Sequence, residues 1–446
     1  MKKFIGYYLL ILLSLGWIKP VAGQSFTILS GPIQGYTTYR EVRIQLEATA
    51  PVSILFRDSI AQKENPARLL PSAFPSSPAQ TFVFENLTPG HTYFYRIISS
   101  TGKGVKSTEN KFYSFKTPEI WEWRGPAPNF TFLMGSCVFI NEAAYDRPGE
   151  PYGKSTNILY TMAKEKAEFM LWLGDNSYYR EADFSSPSGM LARFQHARRD
   201  SAVQTLLKSH PNLAIWDDHD FGPNNSDRSF VLKETALDLF KAYWPNPDFS
   251  NGERKGIYTS FSHGDLDFFM MDNRYFRASN YLKDTSINKP YWGTTQLEWL
   301  KENLLNSKAA FKMIANGNQI LNQLTDSECL NAYPHEYNDL LNFICDNKIK
   351  NVIFLTGDRH FTELLKLEKG GCVMYDFTSS PLTSGPYAKV STTKEGTNPL
   401  RVEGTLYADQ NYGRVSIAGE KGKRILSLET LSSTGERIWR KDIPQQ

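Results

Sequence analysis

The sequence predicts a β-sandwich followed by an α/β domain, and three observations support this prediction. Short alternating runs separated by turn clusters, with no helical stretch, fill residues 25–118. From about residue 130, apolar runs alternate with helical stretches, which is typical of α/β domains with central buried sheets. The 446 residues are 41% hydrophobic and 22% charged, which allows two or three domains and excludes a disordered chain.

The first 23 residues have the features of a secretory signal peptide. Lys2 and Lys3 precede an apolar run over residues 4–18, which is shorter than the ~20 residues needed to span a bilayer. Small residues at 21–23 then provide a cleavage site before Gln24. We therefore expect an exported protein, secreted or periplasmic, with no membrane span after cleavage.

The charge balance gives no reason to expect nucleic acid as a partner. The formal net charge is +3, and residues 1–23 contribute three lysines and no acid. The rest of the chain holds 47 basic and 47 acidic residues, so no overall basic field remains to attract polyanions.

The predicted sandwich carries no catalytic cluster. Its segment 87–96, a Pro-Gly turn that leads into a tyrosine-rich strand, resembles the corresponding part of fibronectin type III modules. Residues 117–128 contain several prolines and are interpreted as the linker. The predicted domains are thus 25–118 and 119–446.

Five helices are expected in the second domain. Their predicted ranges are 156–168, 188–209, 229–244, 294–307 and 336–348. In the fourth helix, Leu297, Leu300 and Leu304 recur at helical spacing, and Thr294 or Thr295 can cap its N-terminus.

Six predicted strands of this domain each end in a polar cluster. These clusters are 135–137, 174–178, 217–220, 272–274, 316–319 and 357–360. When a sheet is covered on both faces, its strands are uniformly apolar and its sites form beyond the C-terminal ends. We therefore expect the six clusters to converge on one rim of the domain.

The clusters contain side chains that bind metal ions. Carboxylates combined with one imidazole and one thiol favour a trivalent or borderline metal beside a hard divalent one. The three acids that surround His219 repel one another unless a cation lies among them. A pair of metal ions that stabilises the attacking and the leaving oxygen of an in-line displacement is a recurring arrangement for phosphoester hydrolysis.

Each residue taken alone also allows a structural interpretation. Cys137 could be a buried structural cysteine, Asp175 could be a turn residue, and Arg274 could be an ion-pair partner. The joint pattern, in this order along the chain, is far more specific than any of its members.

The joint pattern resembles the PhoD-like alkaline phosphatase and phosphodiesterase family, within the calcineurin-like metallophosphoesterases. The motifs are Gly135-Ser136-Cys137, Gly174-Asp175 with Tyr178, Trp216-Asp217-Asp218-His219-Asp220, Asp272-x-Arg274, Gln296-x-x-Trp299-Leu300, Gly317-Asn318-Gln319 and Gly357-Asp358-Arg359-His360. The resemblance covers nearly the whole chain after residue 23. It implies a four-layer α/β/β/α metallophosphoesterase domain behind the fibronectin-like sandwich.

The resemblance also implies a ferric ion, Fe3+, paired with a calcium ion, Ca2+. The implied ligands are Cys137, Asp175, Tyr178 and His360 for iron, and Asp218, Asn225 and Asp358 for calcium, with Asp175 as the bridge. His219 would be the general acid, and Arg274 would contact the phosphate. Asn224 is nearly as good a candidate as Asn225, and departures from the family pattern at Asn176 and Tyr179 leave the number of calcium ions open.

The predicted function is a secreted, metal-dependent phosphoester hydrolase in which a metal-bound hydroxide attacks phosphorus and His219 protonates the leaving group. The alternative within enzymes is a phosphodiesterase or phospholipase D-type activity with weak monoesterase activity. The alternative from another class is a non-catalytic surface-binding protein, which should have lost ligands, whereas every expected cluster is filled. The sequence leaves open whether Cys329, Cys345 and Cys372 form a disulfide.

Overall fold

Four β-sheets organise the chain in the computed structural model, which describes residues 26–61, 63–100, 111–249, 255–283, 285, 289–324 and 329–446. The signal peptide predicted at residues 1–23 lies outside these described residues.

The described residues form twenty strands and seven α-helices. The strands are β1 (Ile28–Thr37), β2 (Val42–Ala48), β3 (Val52–Asp58), β4 (Glu64–Pro66), β5 (Arg68–Leu69), β6 (Ala79–Phe84), β7 (Thr92–Ser99), β8 (Tyr113–Lys116), β9 (Phe130–Gly135), β10 (Met170–Leu173), β11 (Asn212–Ile215), β12 (Thr259–His263), β13 (Leu266–Met270), β14 (Phe311–Ala315), β15 (Val352–Thr356), β16 (Glu363–Lys369), β17 (Cys372–Thr378), β18 (Asn411–Ala418), β19 (Ile425–Ser432) and β20 (Arg437–Pro444). The helices are α1 (Asn157–Met162), α2 (Pro187–Arg199), α3 (Ser201–Ser209), α4 (Asp218–Phe221), α5 (Lys233–Tyr243), α6 (Thr294–Asn306) and α7 (Pro334–Asp346).

The N-terminal part consists of two four-stranded antiparallel sheets. Their strand orders are β1-β2-β6-β5 and β4-β3-β7-β8. Buried residues of both sheets, such as Ile44, Phe84 and Tyr95, form a single core. The alternating runs of the sequence therefore form strands as expected, while the likeness to fibronectin type III modules and the boundary at residues 118/119 stay predictions.

Two six-stranded mixed sheets form the rest of the fold. The first has the order β11-β10-β9-β18-β19-β20, in which β9, β10 and β11 are parallel. The second has the order β12-β13-β14-β15-β17-β16, in which the four central strands are parallel. Because the central strands are covered on both faces, β14 and β15 are buried along their whole length and mostly apolar, as the sequence indicates.

The two large sheets lie between helices. Alternate residues of the second sheet point in opposite directions: Phe268 packs towards the first sheet, with its ring 5.3 Å from that of Phe132, whereas Phe269 packs towards α6 and α7. Helices α1, α2, α3 and α5 contribute to the core that includes the first sheet. This layering agrees with the mixed α/β architecture that the sequence predicts.

Two of the predicted helices differ from the observed ones. The helix expected at 188–209 is split into α2 and α3, because Asp200 adopts an extended backbone and its carboxylate accepts hydrogen bonds from the backbone N–H groups of Ala202 and Val203. The helix expected at 156–168 ends at Met162.

The predicted threonine cap of α6 is wrong. The N-cap residue is Gly293, with no side-chain cap. The carboxylate of Glu336, on α7, instead accepts the backbone N–H groups of Trp292 and Gly293. A distant acid therefore binds the backbone just before the helix, where the sequence suggested only a local hydroxyl.

A buried polar contact joins the sandwich to the α/β part. Glu47, on β2, is fully buried; it accepts a hydrogen bond of 2.6 Å from the Tyr243 hydroxyl and forms an ion pair of 3.1 Å with Arg199. Nearby the two backbones nearly touch, since a Cβ at Gly35 would lie 2.2 Å from the carbonyl oxygen of Pro245. The sandwich is thus fixed against the α/β part by contacts that the predicted linker did not suggest.

None of the helices in the described part of the chain combines the length and the apolar content that crossing a bilayer requires.

We expect Glu47→Ala to lower the free energy of unfolding by about 1–3 kcal/mol, because the buried Tyr243 hydroxyl and the Arg199 guanidinium lose their acceptor. Urea denaturation measures the change. The matched control is Glu64→Ala, which breaks a solvent-accessible ion pair with Arg96 and should cost less than about 1 kcal/mol. Equal losses in the two variants would contradict a stabilising role for the buried contact.

Candidate metal centre

The six polar clusters follow the C-terminal ends of β9, β10, β11, β13, β14 and β15. Direct contacts connect them. Cys137 contacts Asp175, and Asp217 contacts Asn273 and Asn318. The structure thus brings together residues from both large sheets at one rim.

Strained backbone marks this rim. Five of the seven predicted ligands have a positive φ: Cys137 (65°), Asp175 (53°), Asn225 (62°), Asp358 (68°) and His360 (57°). A positive φ is uncommon for residues other than glycine and costs on the order of 1–3 kcal/mol. The surrounding structure holds these residues in that conformation, which is typical of functional sites.

The first group of donor atoms contains the four residues that the resemblance assigns to iron. The Asp175 Oδ2 atom lies 3.5 Å from the Cys137 Sγ atom and 3.1 Å from the Tyr178 hydroxyl. The same hydroxyl lies 3.4 Å from the His360 Nε2 atom. One sulfur, one carboxylate oxygen, one phenol oxygen and one imidazole nitrogen therefore point to a common space.

The ring of His360 is oriented by its other nitrogen. The Nδ1 atom lies 2.7 Å from the carbonyl oxygen of Gly385 and 3.1 Å from the Tyr152 hydroxyl. An N–H donated to a backbone carbonyl leaves Nε2 as the free lone pair, which is the usual arrangement of a histidine ligand. Burial lowers the pKa of His360, which favours the neutral imidazole.

The second group consists of carboxylates. Oxygen atoms of Asp217, Asp218 and Asp358 lie within 4.8 Å of one another, and Asp175, Asp218 and His219 form a further set within the same limit. The Asp218 Oδ2 atom accepts the backbone N–H of Asn225 at 2.7 Å. The side chain of Asn225 is exposed, so its role as a ligand stays a prediction.

One carboxylate oxygen at the centre of this group has room for a cation. The Asp218 Oδ1 atom is buried and accepts no hydrogen bond from the described residues, and its ion-pair partner, the Arg274 guanidinium, is 3.5 Å away. A buried carboxylate oxygen without a donor is costly unless another positive partner is present.

The electrostatics of the rim fit metal ions. Burial, together with the charge of Asp218, raises the pKa of Asp175 well above its usual range. Burial raises the pKa of the Cys137 thiol to about 12 and that of Tyr178 well above its usual range. Although burial opposes it, the positive charges of His219 and Arg274 hold the pKa of Asp218 below its usual value. Acidic groups this close would resist ionising together without cations, whereas a bound metal ion reverses that balance.

Arg274 lies at the rim, but its side chain is completely buried. Its Nε atom donates to the Asp217 Oδ1 atom at 2.6 Å, and its Nη2 atom donates to the Asn318 Oδ1 atom at 3.2 Å. The guanidinium thus lies in the interior and is engaged by protein acceptors, and its predicted contact with phosphate stays a prediction. Arg274 forms ion pairs with Asp217 and Asp218.

Sequence reasoning missed the buried network behind the ligands. The Asn318 Oδ1 atom accepts hydrogen bonds from four side chains: those of Asn273, Arg274, Arg277 and Tyr291. Its amide nitrogen donates to the Asp217 Oδ2 atom at 2.8 Å. The Gly317-Asn318-Gln319 motif pointed to this position, but not to its role as the centre of a network.

Asp220 was also missed as a supporting residue. Its carboxylate accepts the backbone N–H groups of Asn176 and Ser177 at 3.0 and 3.1 Å, and that of Asp217 at 3.2 Å. It thereby fixes the loop that follows Asp175 to the start of α4. Asp220 was visible in the sequence only as one acid in a run of acids.

His219 lies between the ligand groups and the solvent. Its ring stacks on that of Tyr178 with a centroid distance of 4.1 Å, and its Nε2 atom lies 3.9 Å from the Asp218 Oδ2 atom. Its backbone N–H donates to the Asp175 Oδ1 atom at 3.2 Å. About a fifth of the side chain is exposed, so a group that approaches the ligands from outside can reach the imidazole.

A model of the PhoD-like phosphatase family matches residues 149–423. The chain belongs to the PhoD-like phosphatase family. Alkaline phosphatase D of Bacillus subtilis (strain 168) is 24% identical to this PhoD-like chain over 360 residues, which cover 70% of this chain and 58% of that protein. The chain therefore spans less than two thirds of the length of this curated relative. The family predicted from the motifs is confirmed.

Two solved structures share the fold of this PhoD-like chain. The structure of PhoD has a TM-score of 0.68 at 18% identity and covers 93% of this chain and 91% of its own. A purple acid phosphatase, PPD1, from yellow lupin (Lupinus luteus) seeds has a TM-score of 0.64 at 14% identity, over 93% of this chain and 74% of its own. At these identities the likeness establishes the fold alone.

We expect Gly317→Ala to disturb the network behind the ligands. A Cβ at this position would lie 2.6 Å from the Cγ atom of Asp217 and 2.7 Å from the Nδ2 atom of Asn273. The variant should lose about 1–3 kcal/mol of stability, as overpacked sites do, and should bind less metal. Thermal unfolding and elemental analysis measure the two effects.

The control for this prediction is Gly125→Ala, where an added Cβ meets nothing within 4 Å. Its stability should change by no more than about 0.5 kcal/mol. A Gly317→Ala protein with the stability and metal content of the control would show that the close approach at Gly317 is not required.

Proposed function

We propose that the chain is an exported, metal-dependent phosphoester hydrolase of the alkaline phosphatase D type. The observation that carries the proposal is the convergence of two groups of donor atoms that share Asp175. Membership of the PhoD-like phosphatase family supports the reaction class. The sequence of residues 1–23 supports export, either to the periplasm or to the medium.

We propose Fe3+ for the first group of donors and Ca2+ for the second. Thiolate, phenolate and imidazole suit a softer or trivalent ion, while the carboxylates of Asp218 and Asp358 suit a hard divalent ion. When bound, the ions would neutralise charge on phosphoryl oxygens and lower the pKa of a water molecule. A Tyr178 phenolate on a ferric ion would colour the protein violet, which gives the iron assignment a readout of its own.

His219 is the proposed general acid. Its imidazole is reachable from the solvent side, and its ring is held by the stacking on Tyr178. An imidazole placed beside the leaving group can give its proton to the departing alkoxide oxygen as the P–O bond breaks. No residue of the chain is required as a covalent nucleophile in this proposal.

The buried residues behind the ligands fix their positions. Arg274 and Asn318 bind both carboxylate oxygens of Asp217, and Asp217 is the N-cap residue of α4, which begins at Asp218. Asp218 and His219 therefore emerge from a rigid helix start rather than from a mobile loop. Preorganised groups of this kind cost little reorganisation during the reaction.

The filled and strained ligand positions argue against the non-catalytic alternative, because a degenerate domain has no reason to hold five ligands at positive φ. Phosphodiesterase or phospholipase D-type activity uses the same central residues. The preference for monoesters or diesters therefore becomes an outcome of the test.

The metal-loaded protein should release p-nitrophenol from p-nitrophenyl phosphate, from bis(p-nitrophenyl) phosphate, or from both, and chelation should abolish the release. The ratio of kcat/KM for the two esters distinguishes a monoesterase from a diesterase. Asp358→Asn, which removes a carboxylate of the second group, should lose metal and activity together. A protein that holds two metals per chain and hydrolyses neither ester would overturn the proposed function.

The role of His219 is tested with leaving groups of different basicity. His219→Ala should slow the hydrolysis of alkyl phosphate esters by about 10²–10⁴-fold, the usual contribution of a positioned general acid. It should slow nitrophenyl esters far less, since nitrophenolate departs without a proton. The comparison is made by steady-state kinetics at equal metal content.

The control is His335→Ala, which alters an exposed histidine on α7 and should leave both rates unchanged. Equal losses for the two leaving groups, or a loss of metal together with activity, would contradict the general-acid role and indicate that His219 acts as a ligand or through packing.

A further inference from the structure

Two cysteines outside the metal centre lie side by side. Cys345 is in the last turn of α7, and Cys372 is the first residue of β17. The Cys345 Sγ atom lies 3.4 Å from the carbonyl oxygen of Lys369, which pairs with Cys372 across the β16–β17 hairpin. The Cys372 Sγ atom lies 4.0 Å from the carbonyl oxygen of Ile344, the residue before Cys345. These reciprocal contacts place the two thiols next to each other.

The surroundings of the pair allow one thiol to react with solutes. Cys372 is buried, whereas Cys345 is only partly buried and lies at the surface of the core between α7 and the second large sheet. Burial and the neighbouring Cys372 raise the pKa of the Cys345 thiol to about 11, so its oxidation is slow at neutral pH and faster in mild alkali.

The other two cysteines are placed differently. Cys137 and Cys329 are completely buried, and Cys137 belongs to the first group of metal donors. The Cys137 sulfur contacts Ser136, Ser380 and Asp175. The reciprocal contacts between Cys345 and Cys372 therefore make these two the best-placed cysteines for a disulfide.

We propose that Cys345 and Cys372 form a disulfide in the exported protein and that this bond links α7 to the β16–β17 hairpin. The inference rests on the proposed export, since disulfides persist in oxidising compartments, and not on the proposed activity. A cross-link between residues 345 and 372 would stabilise the fold by restricting the unfolded chain.

The chemistry requires an external disulfide as the two-electron oxidant, either a small molecule such as oxidised glutathione or a disulfide-donating protein. The Cys345 thiolate attacks one sulfur of that disulfide and releases one thiolate. The Cys372 thiolate then attacks the Cys345 sulfur of the mixed disulfide and releases the second. Two protons pass from the cysteines to the released thiolates, and the two electrons remain on the reduced oxidant.

The bond would lie far from the metal centre. Cys372 begins β17, while the metal-binding rim lies at the opposite end of the parallel strands β15 and β17. Seven residues of strand span about 20 Å. Formation of the bond should therefore change stability without changing metal content or the rate of hydrolysis.

The experiment uses the full-length, metal-loaded protein, incubated with oxidised glutathione at mildly alkaline pH and then denatured for thiol titration. The four free cysteines of the reduced protein should fall to two. A non-reduced digest should contain one cross-linked peptide pair that joins residues 345 and 372. Addition of a reductant should lower the midpoint of thermal unfolding.

The single variants Cys345→Ser and Cys372→Ser should form no intramolecular disulfide under the same treatment. The variant Cys329→Ser should form the same disulfide as the parent chain. Three results would each overturn the proposal. They are the retention of all four thiols, a disulfide that includes Cys329, and a glutathione adduct that stays on Cys345 without forming a bond to Cys372. Because thiol counting does not depend on phosphoester hydrolysis, a failure of the proposed function leaves this test unaffected.

Discussion

The mutual repulsion of buried acidic groups at the strand ends is the constraint on which the rest of the site depends. Asp218 lies close to Asp175 on one side and to Asp358 on the other. Asp175 and Asp218 are buried, together with the thiol of Cys137 and the phenol of Tyr178. Burial and the charge of Asp218 raise the pKa of Asp175, so Asp175 resists ionisation without cations, whereas His219 and Arg274 hold the pKa of Asp218 low. The fold therefore holds an arrangement that is unfavourable by itself and becomes favourable once positive charge is added.

An arrangement of this kind must be held by other interactions. The network of Arg274, Asn318 and Asp217 supplies part of that support, since the guanidinium and the amide together bind both oxygens of one carboxylate. Asp220 supplies another part by binding three backbone N–H groups around the ligands. These contacts compensate for the strained backbone at the ligands, so the polar interior behind the rim is as much a part of the site as the ligands themselves.

The support extends beyond the α/β part. Glu47, from the sandwich, is bound by Tyr243 of α5 and Arg199 of α2. The same core that covers the first large sheet includes Ile33 of β1 and Ala79 of β6. The sandwich thus acts as a packed wall of the larger unit, even though none of its described residues lies among the donor groups at the rim.

Which residues lie at the rim could be predicted from the sequence alone. Apolar runs that end in Cys137, Asp175, Asp218 and His360 could be placed together, because the C-terminal ends of parallel strands meet at one edge of a sheet. The depth of each side chain and the identity of its partners depend on the packing of the two sheets and could not be predicted in this way. The position of Arg274 in its motif does not show whether its side chain is exposed or buried, and in the folded chain it is completely buried. Glu336 binds the backbone before α6, and Cys345 lies beside Cys372, through contacts between segments that are distant in sequence. A motif fixes a residue's type and its position along a strand, whereas burial and partners depend on chain segments that no local pattern identifies.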